Sequence, residues 1–192
     1  MTLVAQPLPG NRDQIAEKLL FQTHNGPNQQ WLASIIASWL TGESVLPDYL
    51  GLEPSQFSAM NQHFFPETEL PSKAPSGIVL DYSRIPEKED LVQLLKAFSR
   101  EQDEETDWII TIIVTACLGF DHLWQDLGLW HRSQLTELLT YNFPTMAQTN
   151  TKDMKWKKFL YKKLCDAEGI YLCRAPSCEV CTDYAKCYGP EE

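Results

Sequence analysis

The first 116 residues of this 192-residue chain contain no cysteine, although the chain has six. No disulfide can staple that long stretch internally, so its stability has to come from an apolar core. Long hydrophobic runs are also missing. The longest, "WIITIIVTACLGF" (108–120), has 13 residues, short of the roughly 18 that would span a bilayer, and reads as a core helix. The start, "MTLVAQPLPGNRDQ", lacks a basic segment followed by an apolar one, so no secretory signal and no membrane attachment are expected, and the expected location is cytoplasmic. Thiols stay reduced there, and a dense cysteine cluster points to metal before disulfide. Basic residues are scarce: 16 Lys+Arg stand against 26 Asp+Glu, a net charge of −10. Residues 151–192 hold 8 basic and 7 acidic side chains, which leaves 1–150 with 8 and 19 and a net of −11. No broad basic surface remains to neutralise phosphates, which argues against nucleic acid as a partner. No alternating strand pattern of useful length occurs, and neither does a P-loop, GxGxxG, GxSxG or HExxH motif. The chain is therefore expected to be all-α and not an enzyme, with no catalytic acid, base or nucleophile to name.

What is present first is an internal repeat. "WLASIIASWLTGESVLPDYLGLEPSQFSAMNQHFFP" (31–66) aligns with "WIITIIVTACLGFDHLWQDLGLWHRSQLTELLTYNFP" (108–144). Trp31 matches Trp108, Ile35–Ile36 match Ile112–Ile113, Gly42 matches Gly119, and Leu50-Gly51-Leu52 matches Leu127-Gly128-Leu129. Twelve identities hold at an offset of 77 and then 78 residues with one gap, a pattern that points to a tandem duplication. Each unit (about 12–66 and about 87–144) reads as three helices: a short amphipathic one, an apolar one opened by the tryptophan and stopped at Gly42 or Gly119, and one starting near Pro54 or Arg132. Four prolines in "PETELPSKAPSGIVLDYSRIPEKED" mark a linker between them. The expected architecture is a helical bundle of two tandem three-helix units over 1–150, followed by a tail, 151–192, made of a lysine-rich helix and a cysteine-rich metal-binding loop.

The tail opens with "NTKDMKWKKFLYKKLCDAEGIYLC" (150–173), where Asn150 or Thr151 would cap a helix running to about Ala167, with Gly169 as its stop. Six lysines fall within residues 152–163, and Lys155, Lys158 and Lys162 share one helix face. Beyond it lies "CRAPSCEVCTDYAKC" (173–187), a C-x4-C-x2-C-x5-C array of Cys173, Cys178, Cys181 and Cys187. Four converging thiolates repel each other, so a cation has to hold them. An iron–sulfur cluster and a tetrahedral zinc both fit this spacing, with disulfides or chance as the remaining explanations.

"HLWQDLGL" (122–129), "FP" (143–144), "NTKDMKWKKFLYKKLC" (150–165) and "CRAPSCEVCTDYAKCYG" (173–189) occur in order, and together they resemble the NifQ family of nitrogenase cofactor assembly. The resemblance covers about residues 108–189 and matches the family's tail at all four cysteines. Tyr188 stands where the family is expected to have phenylalanine. The resemblance implies a molybdenum–iron–sulfur cluster carrier that takes molybdenum from molybdate and donates it for the iron–molybdenum cofactor. The implied partners are the nitrogenase reductase component and the cofactor-assembly scaffold. Spacing alone implies only a thiolate site for a soft metal. An iron–sulfur electron-transfer protein and a zinc-stapled helical interaction module stand as the alternatives.

Each accessory residue carries two readings. Cys165 is either a small buried hydrophobe or a further thiolate for a heterometal. His122 is either a loop histidine or an imidazole ligand, and its counterpart in the first unit is Val45, so the repeat itself does not require histidine. Gln125 and Asp126 read better as capping and loop hydrogen-bond formers than as molybdate ligands. Lys155 and Lys158 lie either on a solvated face or where they attract an anion, a cluster or an acidic partner. Cys117 aligns with Leu40 and reads as core.

Overall fold

A computed structural model describes residues 10–21, 25–84 and 86–168. Among these residues the regular structure is entirely helical: α1 (Arg12–Leu20), α2 (Pro27–Thr41), α3 (Pro54–Phe64), α4 (Lys88–Phe98), α5 (Glu104–Ala116), α6 (Leu123–Leu127), α7 (Arg132–Asn142), α8 (Pro144–Ala147) and α9 (Trp156–Glu168). No helix among the described residues is long and apolar enough to cross a membrane. Capping residues set many of the starts. Gln14 and Asn11 close a reciprocal box at α1, and Gln56 with Glu53, Gln125 with His122 and Gln134 with His131 do so at α3, α6 and α7. Pro27, Pro54 and Pro144 occupy first-turn positions, where a missing N–H costs nothing.

The apolar helices α2 and α5 are the most deeply buried; Leu32, Ile35, Ile36 and Ile110 have no exposed surface. α1 packs along α2, and α4 along α5. Contacts between the two halves are reciprocal. Trp31 lies 5.7 Å from Tyr141 between ring centroids, and Trp108 lies 5.8 Å from His63. Gly51 and Gly128 both have positive φ (83° and 82°), and a Cβ on either would come within 2.6 Å of a side chain of the opposite half, Thr115 for Gly51 and Ser38 for Gly128. Glycine is needed there twice over, for the left-handed backbone and for the close approach. At the seam, Asn28 Nδ2 donates to Asn142 Oδ1 (2.9 Å) and to Glu105 Oε1 (2.7 Å), while Asn142 Nδ2 donates back to Asn28 Oδ1 (2.7 Å).

The halves differ where Pro47 faces Trp124 in the alignment. The second half forms the right-handed turn α6. The first forms a turn over Asp48–Gly51 with Tyr49 and Leu50 left-handed, both at φ 57°. The proline-rich segment holds that turn in place: Tyr49 N donates to Ser72 O and Ala74 N to Asp48 Oδ1, both 2.9 Å, and Leu70 and Ala74 are buried. The linker is thus a strap packed on the body. The second stretch has four helices, α4 to α7, rather than three.

Two further expectations change. Gly42 stops α2 in the left-handed conformation (φ 78°), but Gly119 is not left-handed, and α5 ends at Ala116 with Cys117 as its cap residue. The tail helix does not start at Asn150 or Thr151. Asn150 Oδ1 accepts from Met154 N (2.9 Å) and its Nδ2 donates to Met154 O (3.0 Å), Asp153 is left-handed at φ 49°, and helical geometry begins only at Trp156. Arg132 clamps this turn to α7 by donating to both Asp153 carboxylate oxygens (2.9 and 2.6 Å). Trp156, Phe159, Leu160, Tyr161 and Leu164 are buried in one cluster with the body residues, and α9 packs on α4. The proposed helix stop at Gly169 and the loop beyond it lie outside the described residues.

Candidate functional site

α9 is the element that leads to the cysteine array, and the loop after α5 fixes where it sits. The Lys157 side chain is 6 % exposed, and its ammonium donates to Asp121 O (2.8 Å), to Gly119 O (3.1 Å) and to the carboxylate of Asp126, a side chain that is 1 % exposed. Asp126 Oδ1 also accepts from Asp121 N (3.3 Å). Every donor of the lysine is matched by an acceptor, the condition under which a buried ion pair is tolerated. Gly119 has no side chain because the Asp126 carboxylate fills the space a Cβ would need. That is the physical reason for this glycine, in place of a helix stop. Burial raises the Asp126 pKa above the ordinary carboxylate value, and the charge and hydrogen bond of Lys157 oppose that rise.

The sequence-derived candidates fall at different places along this arrangement. His122 is the N-cap of α6, and its backbone N–H donates to Gln125 Oε1 (3.3 Å). The loop before it meets the first turn of α9 through the Lys157 bonds to Gly119 O and Asp121 O. Cys165 is a half-buried free thiol in the last part of the helix, about 12 Å along the axis from Lys157 at 1.5 Å per residue. Lys155 is 7 % exposed and Lys158 is half-buried, whereas Lys162 is exposed, so these three do not form one solvated face. Cys117 has no exposed surface, and burial pushes its thiol pKa up to about 12. Among the described residues no group of three or more His, Cys, Asp or Glu side chains is placed to hold a metal ion. Cys173, Cys178, Cys181 and Cys187 lie outside the described residues.

Lys157 was hidden in the lysine cluster, though its signal is in the sequence. It stands at i relative to Leu160, Tyr161 and Leu164 (i+3, i+4, i+7), so it lies on the apolar face of α9. A cation there demands a buried carboxylate, and Asp126, which replaces the first unit's Tyr49, supplies it.

The ion pair joins the "HLWQDLGL" segment to the "NTKDMKWKKFLYKKLC" segment, and both lie within residues 31–189, which match the family model described as NifQ. This chain belongs to the NifQ family. It is 41 % identical to "Protein NifQ" of Azotobacter vinelandii over 178 residues, covering 88 % of this chain and 91 % of the relative. Identity to "Protein NifQ" of Rhodobacter capsulatus is 30 % over 163 residues, covering 83 % and 87 % of the two chains. A "Protein NifQ homolog" of Sinorhizobium fredii is 46 % identical over 107 residues, covering 56 % of this chain and 46 % of that one. No solved structure matches the chain.

Proposed function

We propose that this chain is a molybdenum–iron–sulfur cluster carrier that processes molybdenum and donates it for assembly of the nitrogenase iron–molybdenum cofactor. The observation that carries the reading is that the NifQ match runs to residue 189 and so includes the whole C-x4-C-x2-C-x5-C array. The cluster is cargo, held by Cys173, Cys178, Cys181 and Cys187. Handing it on requires ligands that let go, which suits a short loop at the end of a helix better than an enclosed pocket. The body, which we read as two tandem copies of one helical unit, serves as the rigid mount. Lys157 and Asp126 fix the helix from which the loop departs. The receiving partners are the nitrogenase reductase component and the cofactor scaffold. No step in this role asks for a catalytic acid, base or nucleophile.

Anaerobic reconstitution with iron, sulfide and molybdate tests the proposal. The expected product is a brown protein with broad visible absorption that bleaches in air. In the Cys178→Ser/Cys181→Ser chain that absorption is expected to be lost while the far-UV circular dichroism of the body is kept. A colourless protein holding one zinc would leave the zinc-stapled module as the better reading.

A further inference from the structure

The contacts between the two halves of the body interchange under the repeat. At the offset of 77, Trp31, Ser38 and Gly51 correspond to Trp108, Thr115 and Gly128, and at the offset of 78 His63 corresponds to Tyr141. Trp31 meets Tyr141 and Trp108 meets His63, at 5.7 and 5.8 Å between ring centroids. A Cβ on Gly51 would meet Thr115, and one on Gly128 would meet Ser38. At the level of helices, α2 packs on α7 and α5 on α3. Replacing each residue by its counterpart turns one contact of each pair into the other. That is the mark of an isologous interface, in which residue i touches j and j touches i. On the axis of such an interface a residue meets its own counterpart. Asn28 and Glu105, also 77 residues apart, are the second residues of α2 and α5, and Asn28 Nδ2 donates to Glu105 Oε1 at 2.7 Å.

We propose that the body is an isologous dimer fused into one chain, with a local twofold axis between Asn28 and Glu105, and that two copies of the chain exchange halves to form the same seams in trans. The proposal rests on the reading of the body as two tandem units and not on the metal. Trp31 and Trp108 are core residues, so halves that part have to close again, on themselves or on another copy. The strap contains the place to open. Its hold on the first half runs to Ala74, and α4 begins at Lys88. Between them Ser76, Gly77 and Val79 are exposed, and Gly77 lies at φ 62° in open space. Asp126 and Lys157 both belong to the second half, so exchange leaves their ion pair intact. Self-closure wins in dilute solution, because a short tether holds the halves at an effective concentration on the order of 1 mM. The exchanged dimer makes no new contact and gains as the chain concentration approaches that value.

Refolding the full metal-free chain from urea, far below and near about 1 mM, followed by size-exclusion chromatography, tests the exchange. The dimer-to-monomer ratio is expected to rise in proportion to the monomer concentration. A protease recognition sequence in place of residues 76–79 then identifies the kind of dimer. Cutting is expected to turn the exchanged dimer into monomer-sized particles that each hold both fragments, whereas a dimer joined through its outer surface stays dimer-sized. Asn28→Glu sets two carboxylates against each other at the axis, and Glu105→Lys removes the acceptor of Asn28 Nδ2. Refolded together in equal amounts, these two variants are expected to pair with each other. One seam of the mixed dimer then joins the new carboxylate to the new ammonium, and the other is wild-type. Mixed dimers are expected to exceed like dimers at least about tenfold, where random pairing gives equal amounts. The chain with Cys173, Cys178, Cys181 and Cys187 changed to serine is expected to form the same dimer, which separates exchange from pairing through a shared metal. No dimer at the higher concentration overturns the proposal. So does a dimer that stays dimer-sized after cutting, fragments that part after cutting, mixed and like dimers in equal amounts, or a dimer lost with the four cysteines.

Discussion

Asp126 and Lys157, 31 residues apart in sequence, form a buried ion pair that ties the loop after α5 to the first turn of α9. Three constraints meet in it. Gly119 has to lack a Cβ, the Gly119 and Asp121 carbonyls have to face inward, and an ammonium has to lie on the apolar side of a helix. The cysteine array follows α9 in sequence, and the pair anchors that helix to the body.

Breaking the pair from one side is expected to be costly. Lys157→Met leaves Asp126 buried without its cation and two carbonyls without a donor, and should lower the unfolding free energy by about 3–5 kcal/mol. The Asp126→Leu/Lys157→Met double variant should recover much of that loss, since an apolar pair has no charge to strand. Urea unfolding of the four chains measures both numbers. Additive losses would show that the two residues do not act as a pair.

The raised Asp126 pKa has a definite sign in the pH dependence. Between the ordinary carboxylate value and the raised one, the folded state binds a proton that the unfolded state has released. Stability contributed by this group therefore falls as pH rises through that window, with a slope of up to about 1.4 kcal/mol per pH unit for one proton. Direct titration of the carboxyl carbon by NMR should give a midpoint above about 3.9. A midpoint below it would contradict the burial argument.

Cys117 should be chemically silent in the folded chain. With its thiol pKa pushed up to about 12, the thiolate fraction at pH 8 is on the order of 10⁻⁴. Folding stability from this group is complete below the unfolded thiol's value, near 8.5, and declines as pH rises from there toward 12. Iodoacetamide at pH 8 followed by peptide mass mapping should label Cys165, which is half-buried, and leave Cys117 unmodified until the chain is unfolded.

Gly51→Ala and Gly128→Ala should destabilise the body by similar amounts, because both place a Cβ against the opposite half at positive φ. Left-handed strain and overpacking each cost about 1–3 kcal/mol. Gly77→Ala, also at positive φ but in open space, should show the strain alone. Thermal melts of the three variants separate the two contributions.

The sequence was most informative where periodicity and capping agree. The starts of α3 and α7 were legible at Pro54 and Arg132, where the structure adds the Gln56 and Gln134 capping boxes, and the burial of Cys117 follows from its alignment with Leu40. It was least informative where side chains from distant segments decide the backbone. Asn150 has the chemistry of a helix cap, yet its amide is used on Met154, and Arg132 pulls Asp153 into a left-handed turn that delays the helix. Gly119 occupies the place of a helix stop, yet is required by a carboxylate seven residues on. Lys157 is one of six lysines in residues 152–163, and the carboxylate that pairs with it lies 31 residues back in sequence.

The measurement that tests the central claim most directly is the Mo:Fe:Zn ratio of the chain purified without air. A molybdenum–iron–sulfur carrier predicts molybdenum together with iron, both lost when Cys173, Cys178, Cys181 and Cys187 are replaced by serine. Iron without molybdenum would point to an electron-transfer protein. Stoichiometric zinc without iron would contradict the account outright.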